Sequence, residues 1–242
     1  VAVACLERGM DVLVEKPLAL TLEDATAIAD MASREQAVLQ VGHIERFNPA
    51  VSTLNSILET EEVIAVEAHR LGPFNQHLTQ ESVVFDLMIH DLDIARWLVG
   101  EPVESLSGLG SSSRSEEIDH AIANFEFENG VLGTSVASHV THGKIRRLDV
   151  TTRDAYVVLN YQEQSITIQR RGTERTTTLN TQSGYRTETV TETPYIRTRE
   201  PLKNELEHFL ECVETGRRPH VDGEQGIQAV RLAIEVIESM NW

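Results

Sequence analysis

A lysine follows a short apolar segment near the start of the chain, in the tripeptide Glu15-Lys16-Pro17. Residues 12–14 are all apolar, which is typical of a buried strand in a parallel sheet. In an open parallel sheet, ligands bind beyond the carboxyl ends of the strands, so Lys16 is a candidate to contact both a cofactor and a substrate. The proline restricts the backbone of the residue before it and limits how the lysine is presented. A plain surface lysine in a strand-to-helix loop is the alternative, and the tripeptide alone favours it.

A strongly apolar helix, expected over residues 82–99, carries an acid and an imidazole one turn apart. At about 100° per residue, one stripe roughly 60° wide contains Asp86, His90, Asp93 and Trp97. Burying a carboxylate and an imidazole is costly unless they are paired, hydrogen-bonded or facing a cavity, and this cost favours a functional role. We predict that Asp86 holds the ring of His90 and raises its pKa, which would suit the ring to accept the proton of an alcohol. A satisfied structural pair is the alternative, and the spacing does not favour a metal site.

Further polar side chains follow two later strands. Arg46 and Asn48 stand in a segment that leaves a strand and enters a helix, and both offer planar donors suited to hydroxyls or phosphate. A capped strand-to-helix turn explains the same two residues equally well. Arg70 comes after the next strand and could line the same cavity. The basic groups that could gather around a diphosphate are Arg46, Arg70, His43, His69 and His77.

The elements that must position these residues divide the chain at about residue 48. Residues 1–48 alternate helix and short apolar strand, which predicts part of an α/β domain with a parallel sheet that the chain enters part-way. Residues 49–242 contain one long apolar helix, six alternating strands and two closing helices, which predicts a mostly antiparallel open sheet with packed helices. The stretch 172–201 is rich in Thr and poor in apolar residues, and is predicted to be a loop.

The composition excludes several functions. With 38 acidic and 21 basic residues the formal charge is −17, which disfavours nucleic acid as a partner. We also expect no membrane span and a cytoplasmic protein, since no apolar run is long enough to cross a bilayer and no signal peptide is recognisable. Cys5 and Cys212 do not form a disulfide framework. An acidic, lysine-poor surface also fits a high-salt cytoplasm, a question that composition leaves open.

Taken in order, these segments resemble the Gfo/Idh/MocA family of oxidoreductases, and the resemblance spans nearly the whole chain. The motifs that carry it are Glu15-Lys16-Pro17, Arg46-Phe47-Asn48-Pro49, Asp86-x-x-x-His90 with Asp93, Asn204-Glu205-Leu206-Glu207-His208-Phe209 and Gly216-Arg217-Arg218-Pro219. Within the family, the sequence around His43 and Asp86 is most similar to that of UDP-N-acetylglucosamine 3-dehydrogenases. The Gly-rich phosphate loop of the family pattern is absent from this chain.

The resemblance implies an NAD(P)-dependent dehydrogenase that acts on a sugar, with NAD and NADP both open. It implies that residues 1–48 are the remainder of a dinucleotide-binding (Rossmann) domain and that residues 49–242 are a C-terminal domain for substrate binding and oligomerisation. It places Glu15, Lys16 and Pro17 at the cofactor, with a Lys16-Pro17 bond that can be cis, and Lys16, Asp86 and His90 at the reacting hydroxyl. It also implies a homo-oligomer that associates through the open sheet. The substrate is expected to be a nucleotide sugar, with an inositol or simple hexose as the alternative. A non-catalytic nucleotide or sugar sensor is the alternative from another class, and a fragment without a cofactor site is a further one.

Overall fold

Two parallel strands, each preceded by a helix, form the first part of the fold. The computed structural model describes residues 1–74, 81–172, 175–179, 182–186 and 189–240, so His77 lies outside the described residues. The two strands pair in parallel, with the end of the first beside the end of the second. Their carboxyl ends therefore share one edge, as the sequence predicted. The elements of this part are α1 (Ala2–Leu6), β1 (Val12–Glu15), α2 (Leu22–Glu35) and β2 (Leu39–Gly42).

Helix beginnings follow from side-chain caps in the sequence. The Thr21 hydroxyl accepts a hydrogen bond from the Asp24 amide at 3.1 Å and begins α2. After β2, a 3₁₀ turn over Ile44–Phe47 leads to α3 (Pro49–Leu58). Asn48 caps α3 through its side-chain oxygen, and a proline occupies the first helical position, where a missing amide hydrogen costs nothing.

An eight-stranded sheet forms the larger part of the molecule. Its spatial order is β12-β9-β8-β7-β3-β6-β5-β4, and every neighbouring pair is antiparallel except β3 and β6. The expected mostly antiparallel sheet is therefore confirmed. Its strands are β3 (Val63–Leu71), β4 (Val103–Ser111), β5 (His120–Phe127), β6 (Leu132–Ser138), β7 (Ile145–Thr152), β8 (Ala155–Asn160), β9 (Ser165–Arg171) and β12 (Thr189–Glu192).

The loop predicted over residues 172–201 is wrong for three segments, 175–179, 182–186 and 189–192, whereas residues 193–200 are irregular as expected. This stretch contains a hairpin of β10 (Arg175–Leu179) and β11 (Gln182–Arg186), followed by β12 at the edge of the large sheet. Its many threonines are β-branched and favour strands. The apolar alternation used to recognise strands is missing because an edge strand such as β12, whose residues are all exposed, has no buried face.

Helices cover one face of the large sheet. A π-helical turn over Val84–Met88 runs into α4 (Ile89–Val99), and α5 (Pro201–Thr215) and α6 (Gly223–Ser239) close the fold. Helix α6 contacts α2, α4 and β4, so it joins the two predicted domains, 1–48 and 49–242. Among the described residues, no helix combines the length and apolar character that a membrane crossing needs.

Candidate active site

The lysine after β1 meets the aspartate before α4. The Lys16 ammonium donates to the backbone oxygen of Asp86 at 2.6 Å and to its carboxylate oxygen Oδ1 at 3.3 Å. The two side chains are 16% and 27% exposed, so the contact lies at the edge of the interior. The Lys16-Pro17 peptide bond is cis. The two motifs that the sequence expected to converge are therefore in direct contact.

Asp86 does not hold His90, contrary to the prediction. Its second carboxylate oxygen lies 2.9 Å from Nε2 of His139, a residue at the end of β6. This hydrogen bond, opposed by partial burial and assisted by Lys16, lowers the pKa of Asp86 to about 2. Asp86 is thus ionised and contacts both the ammonium of Lys16 and the imidazole of His139.

The predicted stripe on this helix fails because the helix is not regular. Residues Val84–Met88 form a π turn, which holds more residues per turn than an α-helix, before α4 begins at Ile89. Asp86 is thereby rotated relative to the residues that follow. The stripe divides into one part that faces Lys16 and another, Asp93 with Trp97, that faces Arg46.

His90 is half-buried with its Nδ1 atom fully buried, and the pKa of the ring shifts opposite to the prediction. Burial, with the positive charges of Arg70 and Lys16, lowers the pKa of His90 well below 6.5. The ring is therefore neutral at physiological pH, and its Nδ1 has no hydrogen-bond partner among the described residues. A neutral ring with an unused nitrogen can accept a proton, although the low pKa makes it a weak base.

A second buried imidazole lies beside His90. The rings of His43 and His90 are 6.3 Å apart between centroids and nearly perpendicular. His43 is 1% exposed, and neither of its ring nitrogens has a hydrogen-bond partner in the part of the chain that the structure describes. Burial lowers the pKa of His43, so this ring too is neutral. Unpaired buried polar atoms are rare, and these call for a polar partner from outside the described chain.

Arg46 and Asn48, both expected to bind substrate, make buried structural contacts. Arg46 donates to both carboxylate oxygens of Asp93, at 2.6 and 2.8 Å, and its guanidinium carbon lies 4.6 Å from the ring centre of Trp97. Asn48 caps α3 and donates to the backbone oxygen of Tyr161 at 3.1 Å. The alternative interpretation of this segment, a capped turn, describes the geometry better.

Arg70 is also occupied within the interior. It is 3% exposed and donates to the carboxylate of Asp91 at 2.8 to 3.0 Å and to that of Glu45 at 3.0 Å. A guanidinium bonded to two carboxylates does not offer a free face to a substrate. It acts on the site through its charge, which lowers the pKa of His90.

The sequence analysis missed His139. The signal was present, because a histidine follows a predicted strand, but nothing indicated that this strand ends beside β3. The parallel pairing of Leu71 with Ser138 brings the two carboxyl ends together. His139 and Asp86 consequently line one cleft, of about 430 Å³. Lys16, Asp86 and His139, with His90 nearby, form a proton-handling group at an opening of ligand size.

Comparisons with known proteins match the whole architecture. The family described as "Oxidoreductase family, NAD-binding Rossmann fold" (GFO_IDH_MocA) matches residues 1–43, and that described as "Oxidoreductase family, C-terminal alpha/beta domain" matches residues 62–242. UDP-N-acetylglucosamine 3-dehydrogenase of Acidithiobacillus ferrooxidans is 32% identical over 98% of this chain and 73% of that protein. scyllo-Inositol 2-dehydrogenase (NAD(+)) of Bacillus subtilis is 28% identical over 89% of this chain and 64% of that protein.

Solved structures agree with the fold. The crystallised UDP-N-acetylglucosamine 3-dehydrogenase of A. ferrooxidans superposes with a TM-score of 0.86 at 30% identity, covering 99% of this chain and 74% of that one. Levoglucosan dehydrogenase in complex with NADH and L-sorbose superposes with a TM-score of 0.80 at 19% identity, covering 98% and 73%. At that identity, the second match shows the fold alone.

Proposed function

The chain belongs to the Gfo/Idh/MocA family of oxidoreductases, and on this basis we propose that it removes a hydride from a secondary hydroxyl of a nucleotide sugar such as UDP-N-acetylglucosamine. The family membership itself makes it a nicotinamide-dependent oxidoreductase related to sugar and polyol dehydrogenases. The observation that carries the proposal is the contact of Lys16 with Asp86 beside the cleft.

The residues at the shared edge of β1 and β2 fit a nicotinamide cofactor. A side chain on Gly42 would place its Cβ 2.8 Å from the carboxylate of Glu15, so only glycine keeps this edge open. Nε2 of His43, which has no hydrogen-bond partner among the described residues, provides a polar atom for a ligand, while Nδ1 lies 3.7 Å from the carboxylate of Asp93. We assign Glu15, Lys16 and Pro17 to hold the nicotinamide end, which accepts the hydride when bound. NAD and NADP are both compatible with these residues.

Lys16 is assigned to the reacting hydroxyl. Its ammonium has three N–H donors, and two are used by the backbone oxygen and carboxylate of Asp86. The third can donate to the substrate oxygen and stabilise the negative charge that develops there. Asp86, ionised because its pKa is about 2, fixes the direction of that donor and holds His139.

His90 is assigned to accept the hydroxyl proton. The ring is neutral at physiological pH, and its Nδ1 is unpaired among the described residues. The Nδ1 atom itself is buried, so water does not compete for it. His139 is the second candidate for this proton, because its ring lines the cleft and is oriented by the carboxylate of Asp86, 2.9 Å from Nε2.

Turnover of defined substrates tests the function. The full-length gene product is supplied with NAD⁺ or NADP⁺ and with UDP-N-acetylglucosamine, an inositol or free glucose, and nicotinamide reduction is followed by absorbance. We expect reduction with the nucleotide sugar. Preference for the inositol would favour the second candidate, which the B. subtilis relative supports. Binding of cofactor and sugar without reduction would favour the sensor.

Single substitutions separate the two histidines. His90→Gln should lower kcat by about two to four orders of magnitude, the usual cost of a lost general base. His120→Gln, on the face of the sheet away from the cleft, is the matched control and should retain full activity. An unchanged kcat in His90→Gln, combined with a lower kcat in His139→Gln, would assign the proton-accepting role to His139.

A further inference from the structure

The cleft beside Asp86 has a cationic wall that no catalytic role accounts for. Its lining residues are Gly72, Pro73, Phe74, Asp86, Leu87, His139, Lys144 and Arg146. Asp86 and His139 form the end of the cleft to which proton transfer is assigned. Lys144 and Arg146, on the segment that enters β7, supply two positive charges. The volume of about 430 Å³ exceeds what a single hydroxyl-bearing carbon needs and is within the range of small-molecule sites.

These two cations differ from the other basic residues near the site because no carboxylate neutralises them directly. Arg146 donates to the backbone oxygens of Leu71 and Ile145, at 2.7 and 2.9 Å, and neither it nor Lys144 forms an ion pair in the described part of the chain. Burial and the nearby Arg70 lower the pKa of Arg146, the direction expected for a positive charge short of counter-charge. Arg46, in contrast, bonds a carboxylate.

The charge of the whole protein makes this cluster unusual. The sequence has 38 acidic residues, 21 Lys and Arg, and only three lysines, of which Lys144 lines this cleft and Lys16 contacts Asp86 at its edge. A surface of that sign repels anions in general. Local cations without partners are what an anionic ligand would need in order to enter here.

We propose that Lys144 and Arg146 bind the phosphate groups of the substrate, so that the cleft takes a sugar carrying a phosphate or diphosphate. This inference rests on the proposed function and deepens it. The guanidinium of Arg146 is held by two backbone oxygens through one nitrogen, which leaves its other edge to face phosphate oxygens. Lys144 adds a mobile point charge. The phosphates would then lie at one end of the cleft and the reacting hydroxyl at the Lys16 end.

Phe74 adds an aromatic surface to the same wall. The guanidinium of Arg114 lies 5.8 Å from the centre of its ring, so a third cation stands near the cleft. Aromatic rings commonly stack on nucleobases. This arrangement favours a nucleoside diphosphate over inorganic phosphate as the anionic part of the substrate.

Binding measurements with UDP and with inorganic pyrophosphate test the subsite without turnover. In the full-length gene product, the double variant Lys144→Gln/Arg146→Gln should raise the Kd for UDP at least about tenfold, since charge-assisted hydrogen bonds to phosphate are lost. The matched control is Lys203→Gln/Arg147→Gln, which removes the same charges away from the cleft and should keep the wild-type Kd. Melting temperatures verify folding, and Arg146→Lys supplies a variant that retains the charge.

Kinetics then separate this inference from the proposed function. The double variant should raise the KM for the nucleotide sugar while the KM for a neutral sugar and for the cofactor stays constant. An unchanged Kd for UDP in a folded double variant overturns the inference, as does a KM that rises for NADP⁺ instead of the sugar. Loss of UDP binding in the variant, combined with no nicotinamide reduction by the wild type, would retain the subsite and reject the dehydrogenase.

Discussion

At the scale of single residues, charge is distributed so that the groups at the cleft have different protonation states. Asp86 is ionised, with a pKa of about 2, whereas burial and nearby cations keep His90 neutral. Lys16 donates two hydrogen bonds to Asp86 and has one N–H donor left for a ligand. Separate protonation states of neighbouring groups are what a proton-transfer site requires.

One buried carboxyl outside this group should make stability depend on pH. Glu205, on α5, is fully buried, and both its carboxyl oxygens lack partners among the described residues. Burial, reinforced by the charge of Glu15, raises its pKa from 4.5 to about 7. Between these values the folded state binds more protons than the unfolded state, so this group lowers the free energy of unfolding as pH rises.

Glu205→Gln should remove this fall in the free energy of unfolding with rising pH. Relative to the wild type, the variant should gain unfolding free energy as pH rises from 4.5 to 7, by about 3 kcal/mol at most, with no further gain above pH 7. Urea unfolding across this range measures the difference. Glu207→Gln, an exposed neighbour on the same helix, is the control and should follow the wild type. Parallel curves for Glu205→Gln and wild type would contradict the raised pKa.

The sequence predicted part of this site for physical reasons. Lys16 could be placed because the carboxyl ends of parallel strands share one edge, and its meeting with Asp86 follows from the family-like order of motifs. The partner of Asp86 could not be predicted, because a π turn has no signature in the apolar periodicity. His139 depends on the pairing of β3 with β6, a long-range contact that local patterns do not contain.

At the scale of elements, a buried ion pair fixes α4 to the turn after β2. Arg46 and Asp93 are 6% and 0% exposed, and their contact is a two-pronged hydrogen bond. Breaking a buried pair on one side leaves an uncompensated charge, which costs more than the pair itself contributes. The turn and the helix that carries His90 are therefore held in a single arrangement.

Arg46→Met should destabilise the protein by about 3–5 kcal/mol. The double variant Arg46→Met/Asp93→Leu should recover much of that loss, because it buries no unpaired charge. Chemical denaturation gives both values. Arg153→Met breaks the exposed pair with Glu62 and should cost less than about 1 kcal/mol. Equal losses in the single and double variants of the buried pair would refute this explanation.

Secondary structure was predictable where one face of an element is buried. Helix α4 and strands such as β8 alternate or repeat their apolar residues because they pack on a common core. The segment 175–192 lacked that pattern, and its strands were therefore missed. An exposed strand is defined by its neighbour's backbone hydrogen bonds, which the sequence does not display.

At the scale of the whole molecule, one face of the large sheet is covered by no helix of the described residues. A row of apolar side chains crosses this open face, from Leu109 on β4 through Ile122 on β5 to Val136 on β6. Leu109 is 69% exposed. We propose that a second copy of the chain covers this face, as the family resemblance implies, because exposed apolar rows of this kind mark association surfaces.

Leu109→Lys should therefore shift the protein towards the monomer. Placing a charge in a buried interface leaves it desolvated and unpaired, so the association constant should fall by at least about tenfold. Light scattering after size-exclusion chromatography measures the mass over a dilution series. Leu20→Lys changes another exposed leucine, 56% accessible and outside the sheet, and should leave the mass unaltered. A wild type that is monomeric at all concentrations would dispose of the proposal.

The single parallel pair of the large sheet, β3 with β6, determines when the active site can form during translation. Leu71 aligns with Ser138, and the π turn, α4, β4 and β5 all lie between those two strands in the sequence. During translation, the edge of β3 that pairs with β6 stays unpaired until the whole stretch through β6 has left the ribosome. Such sequence-distant pairing slows folding. His139 therefore joins Asp86 only in chains already translated beyond β6, and a nascent polypeptide arrested earlier carries Lys16 and Asp86 without the second wall of their cleft.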